Sequence, residues 1–418
     1  MYKTFFRFGA GVVLALQACQ NPASAPTGTS AQQAVGARLV TVLPLTGALA
    51  ANGPSREKAA RLAADHIHEA GGLASGRLQL DHLDSGTQAA HAQAQLQTYI
   101  AAQGTPDALI GASSSQVSRQ LLQEAVRGGF PMISPASTAA SFTTEDPRQL
   151  FFRTAPSDAF QSTILADRIY ESGVRRLGVI YLDDAYGSSL KETLQKAFVQ
   201  QGGAVVTAVP YQPNQTEALS AALDALWQTS LDGVCLVGYP QEAPQIFNHW
   251  LASGLQPELR WFFSDGLKSA ETLAGVSAPF RLDQSLGTVP SSLPQEASAR
   301  FEQDYLAAYQ GVPVSFAAHT YDAVVLAALA LQLRHFQKDL SWSEALQQVS
   351  GPPGKLVGPG VLGLKEALRL LAEGQAVNYE GASGSVDFDA QGDVLSDYEI
   401  WTFKSGFIFR VETRSPSR

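Results

Sequence analysis

A segment rich in small and hydroxyl side chains follows one short apolar run of the chain. It reads 131-PMISPASTAASFTTED-146 and carries no charge before Glu145. A second such segment, 111-GASSS-115, comes directly before the helical pattern QVSRQLLQEAV. Small side chains let a ligand approach the backbone, and free N–H groups beside hydroxyls suit an anion such as a carboxylate. The alternative is that these serines and threonines cap the helices that follow them.

Residue patterns typical of enzymes are missing from the sequence. His66 and His68 are two apart in a helical pattern and point in different directions, and no HExxH motif occurs. There is no Gly-x-Ser-x-Gly motif, and the serines at 113–115 have no evident base partner. Asp183 and Asp184 follow a strand pattern, where adjacent carboxylates usually cap the next helix. The sequence therefore predicts a protein that is not an enzyme and holds no metal or cofactor.

The composition is that of a globular protein with room for two domains. The chain has 418 residues, of which 45% are hydrophobic and 16% charged. Its net charge is −9, and its Lys and Arg residues are scattered rather than clustered. Nucleic-acid binding requires clustered positive charge to neutralise phosphates, so we expect no nucleic-acid partner.

The first residues have the pattern of an export signal. Lys3 and Arg7 precede a short apolar segment, which is too short to span a bilayer but suits a signal peptide. Cys19 follows a small residue, as in the lipobox of bacterial lipoproteins, so residues 1–19 are interpreted as a lipoprotein signal peptide with Cys19 lipidated. Residues 20–37 are uncharged and rich in Pro, Ser, Thr, Gln and Ala, which predicts a flexible tether. The alternative is a plain secretory signal with a chance cysteine.

The only other cysteine lies inside an apolar run. Cys235 stands in 233-GVCLV-237, where a single thiol is typical of an inert core residue. With Cys19 lipidated, no disulfide could form within the mature chain. Membrane contact would then be made only through the lipid anchor, which predicts a location in the bacterial periplasm or at the cell surface.

After the tether, short apolar runs alternate with helical patterns in two successive rounds. The first round holds 38-RLVTVLPLTG-47, the helical pattern 54–72, and the runs LQLDHL, DALIG and FPMIS. The second holds the strand patterns 177–182, 204–209, 233–238 and 261–264. The remainder has helical patterns and then strand-like runs at 385–389 and 398–412. Such alternation predicts an α/β protein with two doubly wound parallel-sheet lobes, in which ligands bind beyond the carboxyl ends of the strands.

The motifs along these elements resemble the type I periplasmic binding proteins of the branched-chain amino-acid family, the solute receptors of ABC importers. The resemblance covers nearly the whole chain after the tether. Its motifs are 43-LPLTG-47 with Gly53, 69-EAGGL-73, Asp84, 110-IGASSS-115, 132-MISPASTA-139, 152-FRTAPSD-158, 181-YLDDAYG-187, 238-GYPQEA-243, 264-SDG-266, 316-FAAHTYDA-323 and 387-DFDAQGD-393.

The resemblance implies a Venus-flytrap fold, with two lobes joined by three hinge crossovers near residues 157, 287 and 394. The implied first lobe is 38–157 plus 287–394, and the implied second lobe is 158–286 plus 395–418. Such proteins close on a small ligand held in the cleft between the lobes. The implied partners are an amino-acid-like ligand and an ABC permease, and the implied state is a monomer.

The resemblance also implies which residues of the first lobe hold the ligand. Ser115 and Thr138 match positions that supply hydroxyls to the ligand's α-groups, and Ala136 matches a position that offers its backbone. Asn52 and Ser113 stand where binders of aliphatic amino acids carry bulky side chains, which implies a larger or more polar pocket.

In the second lobe, Tyr186, Tyr239 and Asp265 match positions that contact the ligand after closure, and Phe316 matches an apolar wall on the hinge side. The Asp265 carboxylate would pair with a cationic group such as an ammonium. The alternative is that Asp265 caps the helix at 264-SDG-266.

The implied transport role of the protein also has an alternative. The same fold serves ligand-sensing or regulatory envelope lipoproteins that transport nothing.

Overall fold

The computed structural model describes residues 35–146, 149–291 and 296–416. The predicted signal peptide, with Cys19, lies outside the described residues, as does most of the predicted tether. The last residues of that tether belong to the first strand, which begins at Val35 rather than Arg38. It begins earlier because Val35 already pairs with Arg77 of the neighbouring strand.

Strands and helices alternate along most of the described chain. The strands are β1 Val35–Leu43, β2 Arg77–Asp84, β3 Ala108–Gly111, β4 Met132–Ser134, β5 Phe151–Arg153, β6 Arg176–Leu182, β7 Ala204–Tyr211, β8 Gly233–Val237, β9 Arg260–Phe263, β10 Leu286–Pro290, β11 Lys355–Val357, β12 Val377–Gly381, β13 Gly384–Ser385, β14 Tyr398–Lys404 and β15 Phe407–Arg414. The helices are α1 Gly53–Glu69, α2 Ala89–Gln103, α3 Ser115–Gly128, α4 Phe142–Glu145, α5 Asp158–Glu171, α6 Ala185–Gln200, α7 Thr216–Trp227, α8 Ala243–Ser253, α9 Glu296–Tyr309, α10 Ala317–Phe336, α11 Trp342–Ser350 and α12 Gly360–Ala372. Short 3-10 helices cover Asp265–Leu267, Ala270–Leu273 and Pro279–Leu282.

The first sheet is parallel throughout and has the strand order β2-β1-β3-β4-β5. Every residue of β3, β4 and β5 is buried. Strands buried on both faces require continuous apolar runs rather than alternation, which explains the runs in the sequence. The carboxyl ends of β3 and β4 therefore bring the two hydroxyl-rich segments to the same edge of the sheet.

The second sheet has the order β15-β14-β10-β9-β8-β6-β7. Strands β6 to β10 are parallel, and β14 and β15 are antiparallel. The strand-like run 398–412 is a hairpin whose two-residue turn, Ser405 and Gly406, has φ values of +53° and +81°. Positive φ at both positions suits the turn that best matches the twist of paired strands. The predicted fold class of two α/β lobes is confirmed, with an antiparallel hairpin added to the second sheet.

Three passages connect the two sheets within the described residues. The first runs through α5, the second returns the chain after β10, and the third follows β13. Helix α10 shares its hydrophobic core with β1 and β3, so the segment between β10 and β14 belongs with the first sheet. The second passage follows Pro290 rather than residue 287, because β10 pairs with both β9 and β14.

The strand-like run 385–389 is strand only at its first residue. Beyond it the chain turns, because the Asp389 carboxylate accepts hydrogen bonds from the backbone N–H groups of Gln391 and Asp393 at 2.8 and 2.9 Å. An aspartate that bonds its own backbone in this way competes with strand pairing.

Helix α10 is buried on nearly every side and packs on α1. Its start carries Phe316 to the cleft between the two lobes. Among the described residues, no helix combines the length and apolar character needed to cross a membrane.

Candidate functional site

A small cavity lies between the carboxyl-terminal edges of the two sheets. Its walls are residues that follow β1, β3 and β4 of the first sheet and β6, β8 and β9 of the second. Its volume is about 20 Å³, which is room for about one water molecule. In this conformation the cavity is too small for a ligand larger than water.

The structure brings eight of the nine pocket residues predicted from the sequence to this cavity. They are Asn52, Ser113, Ser115, Ala136, Tyr186, Tyr239, Asp265 and Phe316. Thr138 is not among the lining residues.

The first-lobe wall is built around the start of α3. Ser114 is the N-cap residue of this helix but makes no side-chain capping bond. The Ser115 hydroxyl accepts a hydrogen bond from the Ala139 N–H at 3.3 Å, and the buried Ser113 hydroxyl has no partner. The uncapped N–H groups of a helix start attract negative charge. This wall therefore favours an anion, and the capping alternative does not describe Ser114.

Thr138 lies behind this wall. Its carbonyl accepts hydrogen bonds from the Asp158 N–H at 2.8 Å and from the Arg153 guanidinium at 2.9 Å. Its hydroxyl lies beside the Asp158 carboxyl, whose pKa is raised well above its usual range by burial and by the charge of Asp265. The position of Thr138 suits support of the wall rather than direct contact with the cavity.

Asp265 supplies the second-lobe wall with a buried carboxylate. Its Oδ1 accepts hydrogen bonds from the Tyr186 hydroxyl at 2.7 Å and from the Gln161 amide at 3.1 Å. Gln161 is itself fixed by a bond to the Thr288 hydroxyl at 3.0 Å. Burial raises the pKa of Asp265, while the bonds from Tyr186 and Gln161 and the charge of Arg56 act against that rise. A buried carboxylate held this way can bind a cationic group.

Aromatic rings complete the walls. Tyr186 and Tyr239 stack with ring centroids 5.6 Å apart and an angle of 2° between their planes. Phe316 is the N-cap residue of α10 and has a left-handed φ of +68°. This conformation is costly for an aromatic residue and is found where the surroundings enforce it. Here the buried helix α10 holds the ring at the cavity.

Arg56 also lines the cavity, and the sequence analysis did not identify it. Its Nε donates to the Ser315 carbonyl at 3.2 Å, and its guanidinium lies 5.2 Å from the centre of the Phe316 ring. Burial lowers its pKa to about 10, opposed by the charge of Asp265. Arg56 is therefore protonated at neutral pH. The sequence did contain one signal that Arg56 is unusual. The first turn of α1 has no acidic residue, and a positive charge near a helix start opposes the helix dipole.

The titratable groups considered for catalysis have structural partners. Asp184 accepts bonds from the N–H groups of Tyr186 and Gly187, each at 2.9 Å, which confirms its helix-capping role. Burial raises the pKa of Asp184 to about 6. His66 contacts the Tyr321 hydroxyl at 2.8 Å. The described residues contain no group of three or more His, Cys, Asp or Glu arranged to hold a metal ion.

A larger groove of about 770 Å³ lies elsewhere, between α9 and the segment from β11 to α12. Its described lining includes the exposed side chains of Leu356 and Leu362 but no buried polar group that lacks a partner. The cleft is the stronger candidate site, because buried polar groups without partners converge there.

Gly266 gives a test of how tightly the second-lobe wall is packed. A Cβ at this position would approach the Gly238 carbonyl oxygen to 2.4 Å and the Tyr186 hydroxyl to 3.4 Å. We expect Gly266→Ala to lower the free energy of unfolding by about 1–3 kcal/mol, because backbone must move to admit the methyl group. Chemical denaturation measures this. Gly358→Ala is the control, since its Cβ would meet nothing within 4 Å, and an equal loss in the control would contradict the packing argument.

Comparison with known proteins identifies relatives along nearly the whole folded chain. A family model described as "Receptor family ligand binding region" matches residues 55–406. The chemotactic signal transduction system substrate-binding protein BasB of Halobacterium salinarum is 27% identical over 371 residues, which cover 86% of this chain and 85% of BasB.

Solved structures show the same fold. The branched-chain amino acid transporter substrate binding protein LivJ of Streptococcus pneumoniae, in complex with isoleucine, aligns with a TM-score of 0.71 and 22% identity, covering 91% of this chain and 99% of LivJ. An ABC transporter solute binding protein of R. palustris, in complex with benzoate, aligns with a TM-score of 0.69 and 19% identity, covering 91% of this chain and 97% of its own. At these identities the likeness establishes the fold alone.

Proposed function

The chain belongs to the family described as the receptor family ligand binding region, and we propose that it is an extracytoplasmic solute-binding lipoprotein. It closes around a small amino-acid-like ligand and delivers this ligand to an ABC importer. The observation that carries this proposal is the pairing of two features across one cleft. The uncapped start of α3 favours a carboxylate, and the buried Asp265 favours an ammonium. An α-amino acid carries both groups two bonds apart.

The ligand's α-carboxylate would lie on the first-lobe wall. Ser115 offers its hydroxyl and Ala136 its backbone, with Thr138 supporting them from behind. Asp265 takes the ammonium when the second lobe closes, and Tyr186, Tyr239 and Phe316 exclude water. Excluding water strengthens both charge interactions, because opposite charges attract more strongly at a low dielectric constant. Hydrogen bonds to charged groups contribute about 1.5–3 kcal/mol each.

Closure is the event that an importer recognises. The open and closed forms must differ by only a few kcal/mol, so that the ligand's contacts with both lobes select the closed form. The lobes proposed are those around the two sheets, hinged at the three passages between them. The predicted signal peptide and Cys19 support anchoring outside the cytoplasmic membrane, in the periplasm or at the cell surface, and the protein is proposed to act there as a monomer.

A sensing role uses the same cleft and is the second candidate. The similarity to BasB, a substrate-binding protein of a chemotactic signal transduction system, favours this alternative. In that case the closed form of the protein would bind a signalling partner instead of a permease. Binding of the liganded protein to membranes that contain the cognate permease supports transport, and binding to a membrane receptor without a permease supports sensing.

The first test is thermal unfolding of protein that begins at Gln20, screened against amino acids, short peptides, amides and simple carboxylates. A ligand at 100 times its Kd adds about 2.7 kcal/mol to the free energy of unfolding, so the melting temperature should rise. We expect the rise with amino acids. A rise only with compounds that lack an amine would contradict the role of Asp265, and no rise with any amino acid would contradict the proposed function.

A further inference from the structure

Arg56 carries a positive charge into the cleft and forms no salt bridge with any described residue. The side chain is 2% exposed, and its Nη1 is buried without a hydrogen-bond partner. Its one hydrogen bond among the described residues runs from Nε to the Ser315 carbonyl. None of the ion pairs in the described residues includes Arg56. Leaving a buried guanidinium in this state is unfavourable, so the position calls for an anion.

The neighbouring groups among the described residues supply no hydrogen-bonded anion: the Phe316 ring lies 5.2 Å from the guanidinium and offers only its apolar face. Asp265 acts on Arg56 electrostatically, but its Oδ1 is already bonded to Tyr186 and Gln161. The other nearby charged side chain, Lys268, is a cation and is paired with Glu399 at 2.8 Å. Arg56 therefore remains available to a ligand.

The placement of Arg56 separates it from the groups assigned to an amino acid's backbone. Arg56 projects from the first turn of α1, beside Asn52 and Phe316, whereas the start of α3 and Ala136 form the first-lobe wall. If that wall holds the α-carboxylate and Asp265 holds the ammonium, the guanidinium faces the rest of the ligand. Asn52, a polar lining residue, lies one helical turn before Arg56, and its carbonyl accepts a hydrogen bond from the Arg56 backbone N–H at 3.2 Å.

We propose that Arg56 binds a second acidic group, so that the ligand is an amino dicarboxylic acid rather than an aliphatic amino acid. This inference rests on the proposed function and narrows its ligand class. A leucine-like side chain would leave the guanidinium buried and unpaired. An aromatic monocarboxylate would pair with Arg56 and leave Asp265 without a cation. A dicarboxylic amino acid satisfies Arg56, Asp265 and the start of α3 together.

The test compares each acid with its own amide, since the two differ in one charge at nearly constant size. Titration calorimetry would use L-aspartate, L-glutamate and L-2-aminoadipate against L-asparagine, L-glutamine and L-leucine, with benzoate as an amine-free acid. We expect at least one dicarboxylic acid to bind more than 10-fold tighter than its amide or leucine. Equal or tighter binding of leucine or of the amides would overturn the inference while leaving the proposed function intact. Binding of no amino acid would overturn both.

Variants of Arg56 assign the preference to this side chain. Arg56→Met keeps an unbranched apolar stem and removes the charge, and we expect it to bind the preferred acid about 10- to 100-fold more weakly, with the acid-to-amide ratio near one. Arg56→Lys keeps the charge and should retain part of the preference. Arg61→Met is the control, because Arg61 lies on the same helix with its side chain 52% exposed and paired with Glu57. An unchanged acid-to-amide ratio in both Arg56 variants would sink the proposal, and the wild-type ratio tests it even if Arg56→Met fails to fold.

Discussion

Replacing Arg153 by methionine is expected to lower the free energy of unfolding by about 3–5 kcal/mol, which is the cost of leaving one member of a buried ion pair without its partner. The Arg153 side chain is fully buried, and its Nε bonds the Asp393 carboxylate at 2.6 Å. Its Nη1 also donates to the carbonyls of Thr138 and Ala139, each at 2.9 Å. Chemical denaturation monitored by far-ultraviolet circular dichroism gives the measurement.

The reason for so large an effect is that Arg153 joins two segments that are distant in sequence. One is the wall segment around Thr138, and the other is the turn that holds Asp393 within the third passage between the sheets. Among the described residues, methionine would leave the buried Asp393 with only the Thr143 hydroxyl as a side-chain donor, at 2.6 Å. The wall that offers Ala136 to the ligand would lose its anchor, so ligand affinity should fall as well.

Arg119 supplies the matched control for this prediction. It forms an arginine–carboxylate pair with Glu145 at 2.7 Å, but its side chain is 37% exposed. Surface pairs contribute about 0–1 kcal/mol, so Arg119→Met should change stability little. Similar losses in the two variants would mean that burial does not decide the energetics of these pairs.

Much of the fold, and the strand-end segments that form part of the site, could be predicted because both depend on local patterns. Strands β3 and β4 are short apolar runs that end in small residues, and parallel strands carry their carboxyl ends to one edge. The order of elements then places the segments that hold Ser113 and Ala136 at the cleft without any knowledge of side-chain packing. Asp265 was assigned to the cleft by the family resemblance, and it does line the cavity.

The parts that sequence reasoning missed depend on orientation. Thr138 lies two residues beyond Ala136, and the turn between them directs Ala136 to the cavity and Thr138 toward Asp158. Arg56 belongs to a helix that also carries exposed polar residues such as Lys58, and it is buried against the loop that holds Ser315 and Phe316. The support of Asp265 by Gln161 joins residues 104 apart. None of these contacts leaves a periodic trace in the sequence.

Asp265→Asn is expected to weaken binding of an amino acid by at least about 100-fold, since the ligand's ammonium would enter a closed cleft with no buried negative charge to pair with. The amide nearly matches the carboxylate in size, so its Oδ1 can still accept the bonds from Tyr186 and Gln161. Because burial raises the pKa of Asp265, the neutral form is the one the unliganded fold tolerates better. We therefore expect Asp265→Asn to unfold cooperatively without ligand while losing the ligand-induced rise in melting temperature.

The same charge predicts the pH dependence of binding. Only ionised Asp265 pairs with an ammonium, so wild-type affinity should fall as pH decreases through the pKa of Asp265, which lies above its ordinary value of 3.8. Two other carboxyls of this region also have raised pKa values, Asp158 and Asp184, and the latter is about 6. The pH profile of Asp265→Asn contains their contributions but not that of Asp265, so the difference between the profiles isolates it. Asp183→Asn is the control at the same sheet edge, because Asp183 is exposed and, within the described part of the chain, accepts a side-chain hydrogen bond only from Gln212. If Asp265→Asn kept the wild-type affinity and pH profile, Asp265 would not be the group that holds the ligand's cation.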